Sequence, residues 1–200
     1  HALGGRVHED IRVARPAEGV LLLTIDRPAV RNALRTRTLA EIAAELAAAE
    51  DDPGTRAVVI TGGSEHFAAG ADVREMSALG AIDVLTHERA RHWRAIGTFP
   101  KPLIAAVCGV ALGGGCELAL ACDLLVASRD ARFVMSYARI GLSPDGGATA
   151  SLAAALAPQR AFAVLALAEP LGADELFRAG IVHQVCEPPA TISRRTTRST

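Results

Sequence analysis

The sequence predicts an α/β domain in which side-by-side strands are covered by helices. Three observations lead there. Short apolar runs alternate with segments of helical spacing, glycine and proline mark the joins between them, and half of the 200 residues are hydrophobic, ample for a packed core.

After a polar start, Val20-Leu-Leu-Leu-Thr-Ile25 reads as a buried strand. Asp26-Arg27-Pro28 closes it, because proline has no backbone donor to continue the pairing. Arg31-Asn32-Ala33-Leu34 falls in a loop. Thr38 and Glu41 then form a capping-box pattern, and Leu39, Ile42, Ala43 and Leu46 recur at helical spacing until Asp51-Asp52-Pro53-Gly54. Residues 57–61 form the next strand. Gly62-Gly63-Ser64 opens a loop that runs through Phe67-Ala68-Ala69-Gly70-Ala71-Asp72, whose small side chains leave the backbone accessible to a ligand. A helix is expected over 82–96, a strand over 103–107, a turn at Gly109, a helix over 113–121 and a strand over 124–128. From residue 146 the pattern turns helical: an alanine-rich helix over 149–156, a second from Pro158, a third from Ala173, then an apolar run over 181–185. One domain is expected over 1–188. Residues 189–200 are polar and basic without apolar periodicity, and read as a disordered tail.

Lys and Arg number 21 against 22 Asp and Glu, a net charge of -1, so no overall field favours nucleic acid and a small-molecule partner is expected. The apolar runs are far shorter than the ~20 residues a membrane helix needs, and residue 1 opens no signal segment, which points to the cytoplasm. Cys108, Cys116, Cys122 and Cys186 lack any C-x-x-C pair and read as reduced, buried thiols. His87 and His92 are five apart, a spacing that does not put two ligands on one helix face, so no metal site is expected.

Gly113-Gly114-Gly115-Cys116-Glu117 follows a strand and a turn and begins a helix. Three glycines there cost roughly 0.5–1 kcal/mol each relative to alanine, so something compensates. One reading is close helix–strand packing. The other is that free N–H groups of the first turn receive a negatively charged oxygen, with the 67–72 loop giving a second donor, as in an oxyanion hole. Glu117 stands alone in an apolar run, and a buried carboxylate is expensive unless paired or used; beside an oxyanion site it suits general acid–base work. Asp145, in Ser143-Pro-Asp-Gly-Gly147, is either a turn and cap residue or a catalyst. Gly141-Leu-Ser143-Pro-Asp145 departs from a nucleophile elbow at its last position, which leaves a Ser143 hydrolase weakly supported. Tyr137 and Trp93 belong more often to a core or rim.

At these residues the sequence resembles the enoyl-CoA hydratase/isomerase (crotonase) family, from about residue 10 to 187. The stretches that carry the likeness are Arg31-Asn-Ala-Leu34, Phe67-Ala-Ala-Gly-Ala-Asp72, Pro102-Leu-Ile-Ala-Ala-Val107, Gly113-Gly-Gly-Cys-Glu-Leu118 and Ala179-Gly-Ile-Val182. The resemblance implies a crotonase-like spiral of ββα units, an oxyanion hole from the N–H groups of Ala71 and Gly114, and Glu117 as one catalytic carboxylate. It implies no cofactor other than the coenzyme A of the substrate. That coenzyme A would pass near Val30, Arg31, Ala68 and Ala69, with Asp72 at the same loop.

Hydratases of the family carry a second glutamate twenty residues after the first, where this chain has Tyr137, which joins the candidate catalytic residues for that reason. Some isomerases, among them ring-epoxide isomerases of phenylacetate breakdown, instead have an aspartate matching Asp145. Family members also continue into helices that close the acyl pocket and support a homotrimer or dimer of trimers. This chain leaves the pattern near Pro188, so its C-terminal helical part is expected to be shortened. The expectation is an enzyme that hydrates or isomerises an enoyl-CoA through a stabilised enolate. Its rivals are a catalytically weak acyl-CoA-binding subunit of the same fold and a thioester hydrolase.

Overall fold

The computed structural model describes residues 7–77, 88–144 and 146–188. Two sheets organise them. The larger takes β1 (Ile11–Ala17), β2 (Val20–Ile25), β3 (Ala57–Thr61), β5 (Leu103–Val107), β7 (Leu124–Ser128) and β10 (Val182–Cys186), in the order β1-β2-β3-β5-β7-β10. Only the β1/β2 pair is antiparallel. The smaller sheet takes β4 (His66–Ala68), β6 (Val110–Leu112), β8 (Arg132–Val134) and β9 (Leu171–Gly172), parallel except where β9 meets β8.

The two sheets arise from one repeated move. A strand of the large sheet is followed within a few residues by a strand of the small one, and then by a helix. This happens at β3–β4–α2 (Val73–Met76) and at β5–β6–α4 (Gly114–Leu120); β7–β8 repeats the strand pair and leads into a 3-10 turn at Tyr137–Ile140. The spiral of ββα units expected from the family resemblance is therefore the observed architecture.

Burial explains the large sheet. Leu21, Leu23 and Ile25 of β2, Val58 and Ile60 of β3, and Leu103, Ala105 and Val107 of β5 are all buried, every second residue along each strand. Helix α1 (Thr36–Asp51) adds Leu39, Ile42 and Leu46 to the same core and packs on α3 (Glu88–Gly97). Burying each such side chain contributes roughly 1.5–3 kcal/mol. An exposed ion pair such as Arg12–Asp26 contributes about 0–1 kcal/mol, so the core dominates stability.

Several expectations need correction. Helix α1 begins at Thr36, and Thr38 is not its cap: its Oγ1 accepts from the Arg35 N–H, while Glu41 accepts from the backbone N–H groups of Glu9 and Asp10. The polar start contains β1, an edge strand whose residues after Ile11 are all exposed, so no apolar alternation announces it. Cys116 and Cys122 are buried but Cys108 and Cys186 are only half-buried, and all four are free. The C-terminal helices match closely as α5 (Ala148–Ala155), α6 (Pro158–Leu167) and α7 (Ala173–Arg178). Residues 189–200, Asp145 and most of the first half of the 82–96 helix lie outside the described residues.

Candidate active site

Helix α4 packs on β4 and β6 of the small sheet, and every residue from Gly114 to Ala119 is buried. Its glycines allow that placement. A methyl group on Gly115 would stand 2.2 Å from the Ala68 carbonyl oxygen, so only glycine lets the helix start press against the end of β4. Packing thus accounts for Gly115, while Gly114 faces elsewhere. A methyl group on Gly114 would lie 3.6 Å from the Ala71 amide nitrogen, 3.6 Å from the Tyr137 hydroxyl and 3.9 Å from the Trp93 ring.

The loop carrying Ala71 is held on both sides of that residue. Leu34 N–H donates to the Gly70 carbonyl at 2.7 Å, and Asp72 N–H to the Leu34 carbonyl at 3.0 Å. This bridge uses the neighbours of Ala71 and leaves its own N–H unspent. Neither the Ala71 N–H nor the Gly114 N–H donates to a partner among the described residues. Two neighbouring orphan donors on rigid backbone are what a developing oxyanion needs.

Glu117, one turn into α4, is 1 % exposed. One carboxylate oxygen accepts from the Gly146 N–H at 2.7 Å, and the other accepts from the Tyr137 hydroxyl. Gly146 is tight against it: an added methyl would meet the Glu117 carboxyl carbon at 2.9 Å. Tyr137 packs over the start of α4 from the 3-10 turn that follows β8. The structure therefore brings Ala71, Gly114, Glu117 and Tyr137 together. Beside them burial pushes the Cys116 thiol up, with the Glu117 charge adding to it, which leaves that thiol protonated and inert.

The residues expected along coenzyme A are more spread. Val30 and Arg31 are exposed at the end of a 3-10 turn, Ala69 is half-buried, and Ala68 is fully buried against Gly115. Asp72 accepts from Arg27 at 3.2 Å and from the Arg74 N–H at 3.3 Å as the cap of α2. Ser143 is exposed, and no histidine hydrogen-bonds to it among the described residues. Asn32 is a residue that the sequence reading underused. Its side chain accepts from the Arg27 N–H and donates to the carbonyls of Gly62 and His66, tying the β2 exit to the β3–β4 connection. The signal was available, since a buried asparagine in a loop needs partners for both ends of its amide.

Comparison with known proteins identifies the family. The family model for enoyl-CoA hydratase/isomerase matches residues 15–198. The chain is 41% identical over 173 residues to 2,3-dehydroadipyl-CoA hydratase of Escherichia coli (strain K12), covering 86% of this chain and 68% of that one. It is 40% identical over 174 residues to crotonyl-CoA hydratase of Syntrophomonas wolfei, covering 86% and 67%. A solved enoyl-CoA hydratase from Polaromonas sp. JS666 superposes with a TM-score of 0.83 at 39% identity, over 89% of this chain and 71% of that one. Sequence, fold and relatives converge, and the chain belongs to the enoyl-CoA hydratase/isomerase family.

Proposed function

We propose that this enoyl-CoA hydratase/isomerase-type enzyme moves a double bond within an enoyl-CoA thioester. The observation that carries the reading is the Tyr137–Glu117 hydrogen bond, at the position where a second carboxylate would steer water. The thioester oxygen is received by the N–H groups of Ala71 and Gly114. Glu117 takes a proton from the carbon next to the carbonyl, the double bond shifts toward that carbon as a dienolate forms, and the proton returns at the far end of the conjugated system. No atom is gained or lost, so no water-activating partner is required. Tyr137 holds one oxygen of Glu117 in place, and Asp145 is the candidate for a second proton carrier.

Water addition is the second reading, favoured by the hydratase names of both relatives above. Incubation with a 3-enoyl-CoA and, separately, with crotonyl-CoA distinguishes the two by thioester absorbance. Conversion of the first without hydration of the second is expected; hydration of crotonyl-CoA as the faster reaction overturns the proposal. Binding of acyl-CoA without any turnover would favour the non-catalytic alternative, and release of free CoA thiol the hydrolase. Coenzyme A is proposed to enter past Val30, Arg31 and Ala69 as part of the substrate, with no separate cofactor. No described helix is long and apolar enough to cross a membrane. A cytoplasmic homotrimer or dimer of trimers is the proposed setting, and light scattering of the purified protein reads the assembly directly.

A further inference from the structure

A line of charged side chains runs from the N-terminal segment to the residue beside Ala71. Asp10 is 1 % exposed and lies just before β1. Its carboxylate is already satisfied by Arg35, through Nε at 2.8 Å and Nη2 at 2.7 Å, and by the Thr38 hydroxyl at 2.6 Å. Arg27 joins this cluster through Nε at 3.4 Å from Asp10, the longest of these contacts. Its two terminal nitrogens point the other way: Nη1 donates to the Ala33 carbonyl and Nη2 to Asp72 at 3.2 Å.

The balance of these contacts is informative. Asp10 needs no further cation, so Arg27 is braced by the cluster more than it supports it. What Arg27 holds is a backbone under strain. Arg31 and Asn32 both have positive φ, +52 and +59, a region that asparagine visits readily but that costs a residue such as arginine of order ~1–3 kcal/mol. That kinked segment ends at Leu34, whose N–H and carbonyl form the bridge on either side of Ala71. A guanidinium fork suits the task because its donors are fixed in one plane and can grip two loops at once, at the Ala33 carbonyl and at Asp72.

We propose that Arg27 is a positioning residue, a strut from the Asp10 cluster to Asp72 that sets where the Ala71 N–H points. The inference rests on the reading of that N–H as half of an oxyanion hole. It assigns Asp72 to the strut.

The test uses a conjugated dienoyl-CoA thioester, whose absorbance moves to longer wavelength when its carbonyl is polarised by well-placed donors. Turnover of a 3-enoyl-CoA is followed alongside. Arg27→Met and Asp72→Asn are each expected to lose most of the wavelength shift and on the order of 10²-fold in kcat, with KM changed only a few-fold. The double variant is expected to be no worse than the worse single one, because both cut the same strut. Arg27→Lys, which reaches one acceptor instead of two, falls between. Should Arg27→Met fail to fold, Asp72→Asn alone decides, since it leaves the buried Asp10 cluster intact. Retention of the full shift and kcat in Asp72→Asn overturns the strut, as does a kcat loss with the shift unchanged. Absence of any shift in the unaltered protein overturns the oxyanion reading, and the strut with it.

Discussion

The two sheets of this molecule are specified by different means. In the large sheet, strands of five to seven residues are mostly defined by what their side chains bury, with Leu23, Val58 and Ile60 fully sequestered. In the small sheet, strands of two or three residues are too short to show a pattern, although each buries an apolar side chain in the common core: Phe67, Ala111, Phe133 and Leu171. Contacts to backbone carbonyls add to their placement, such as Gly115 against the Ala68 carbonyl and the Asn32 side-chain amide on Gly62 and His66. Stability and chemistry are therefore largely separable: apolar burial holds both sheets as a platform, and the small-residue loop and helix start beyond the short strands hold orphan amides and a carboxylate.

Variants can break or sharpen that separation. The largest effect is expected from Glu117→Gln, which keeps the shape and removes the proposed proton carrier: kcat should fall by ~10²–10⁴-fold while the unfolding midpoint hardly moves. Gly114→Ala follows. The added methyl has ordinary contact distances, 3.6 Å at the nearest, so the protein should fold. It stands at the proposed oxyanion site, and a loss of ~10²–10³-fold in kcat is expected from steady-state assays. A large drop in stability for either variant would contradict the division.

The charged cluster at Asp10 belongs to the platform. Burial pushes its carboxyl upward, but the hydrogen bonds from Arg35 and Thr38 and the charges of Arg27 and Arg35 outweigh that, leaving it below the ordinary range. A carboxyl depressed in the folded state adds stability that is present above its unfolded value, ~3.9 for aspartate, and is lost as the pH falls through the lower folded value. Asp10→Asn should thus cost about 3–5 kcal/mol at neutral pH, as expected for removing one charge of a buried pair, and less as the solution is acidified below that value. Urea titrations at several pH values measure both; an equal cost at all pH values would show that the charge is not responsible.

Leu23→Ala tests the platform without electrostatics. A cost of about 2–5 kcal/mol is expected from urea unfolding, with kcat per folded molecule unchanged. The smallest effect concerns Cys116. Its raised, buried thiol should resist alkylation in the native protein, and mass spectrometry after iodoacetamide should find Cys108 and Cys186 labelled first.

Much of the large sheet was legible because strands packed inside a domain are short continuous apolar runs that can be read locally: β2, β3, β5 and β7 are found over the spans those runs indicate. Its edge strand β1 was not, since every residue from Arg12 through Val13, Ala14, Arg15 and Pro16 to Ala17 is exposed, without alternation. The small sheet escaped for a different reason, because three-residue strands such as His66–Ala68 are too short to show a period. At the site, the unusual cost of three glycines and a single carboxylate within an apolar run singled out Gly114 and Glu117. The same letters left helix packing and anion binding as alternatives at that place; the structure gives packing to Gly115 and leaves room at Gly114, where anion binding is the proposal.

The amino-acid order by itself determined which segments become strands of the core and which residue types are available for proton transfer, because hydrophobic periodicity and side-chain chemistry are local properties. Only the tertiary structure decided that Tyr137 donates to Glu117, that the Ala71 and Gly114 amides lie side by side without partners among the described residues, and that Arg27 reaches Asp72. Each of these joins residues 20 or more positions apart, and such proximity is set by how two sheets and their helices pack, which no short window of sequence contains.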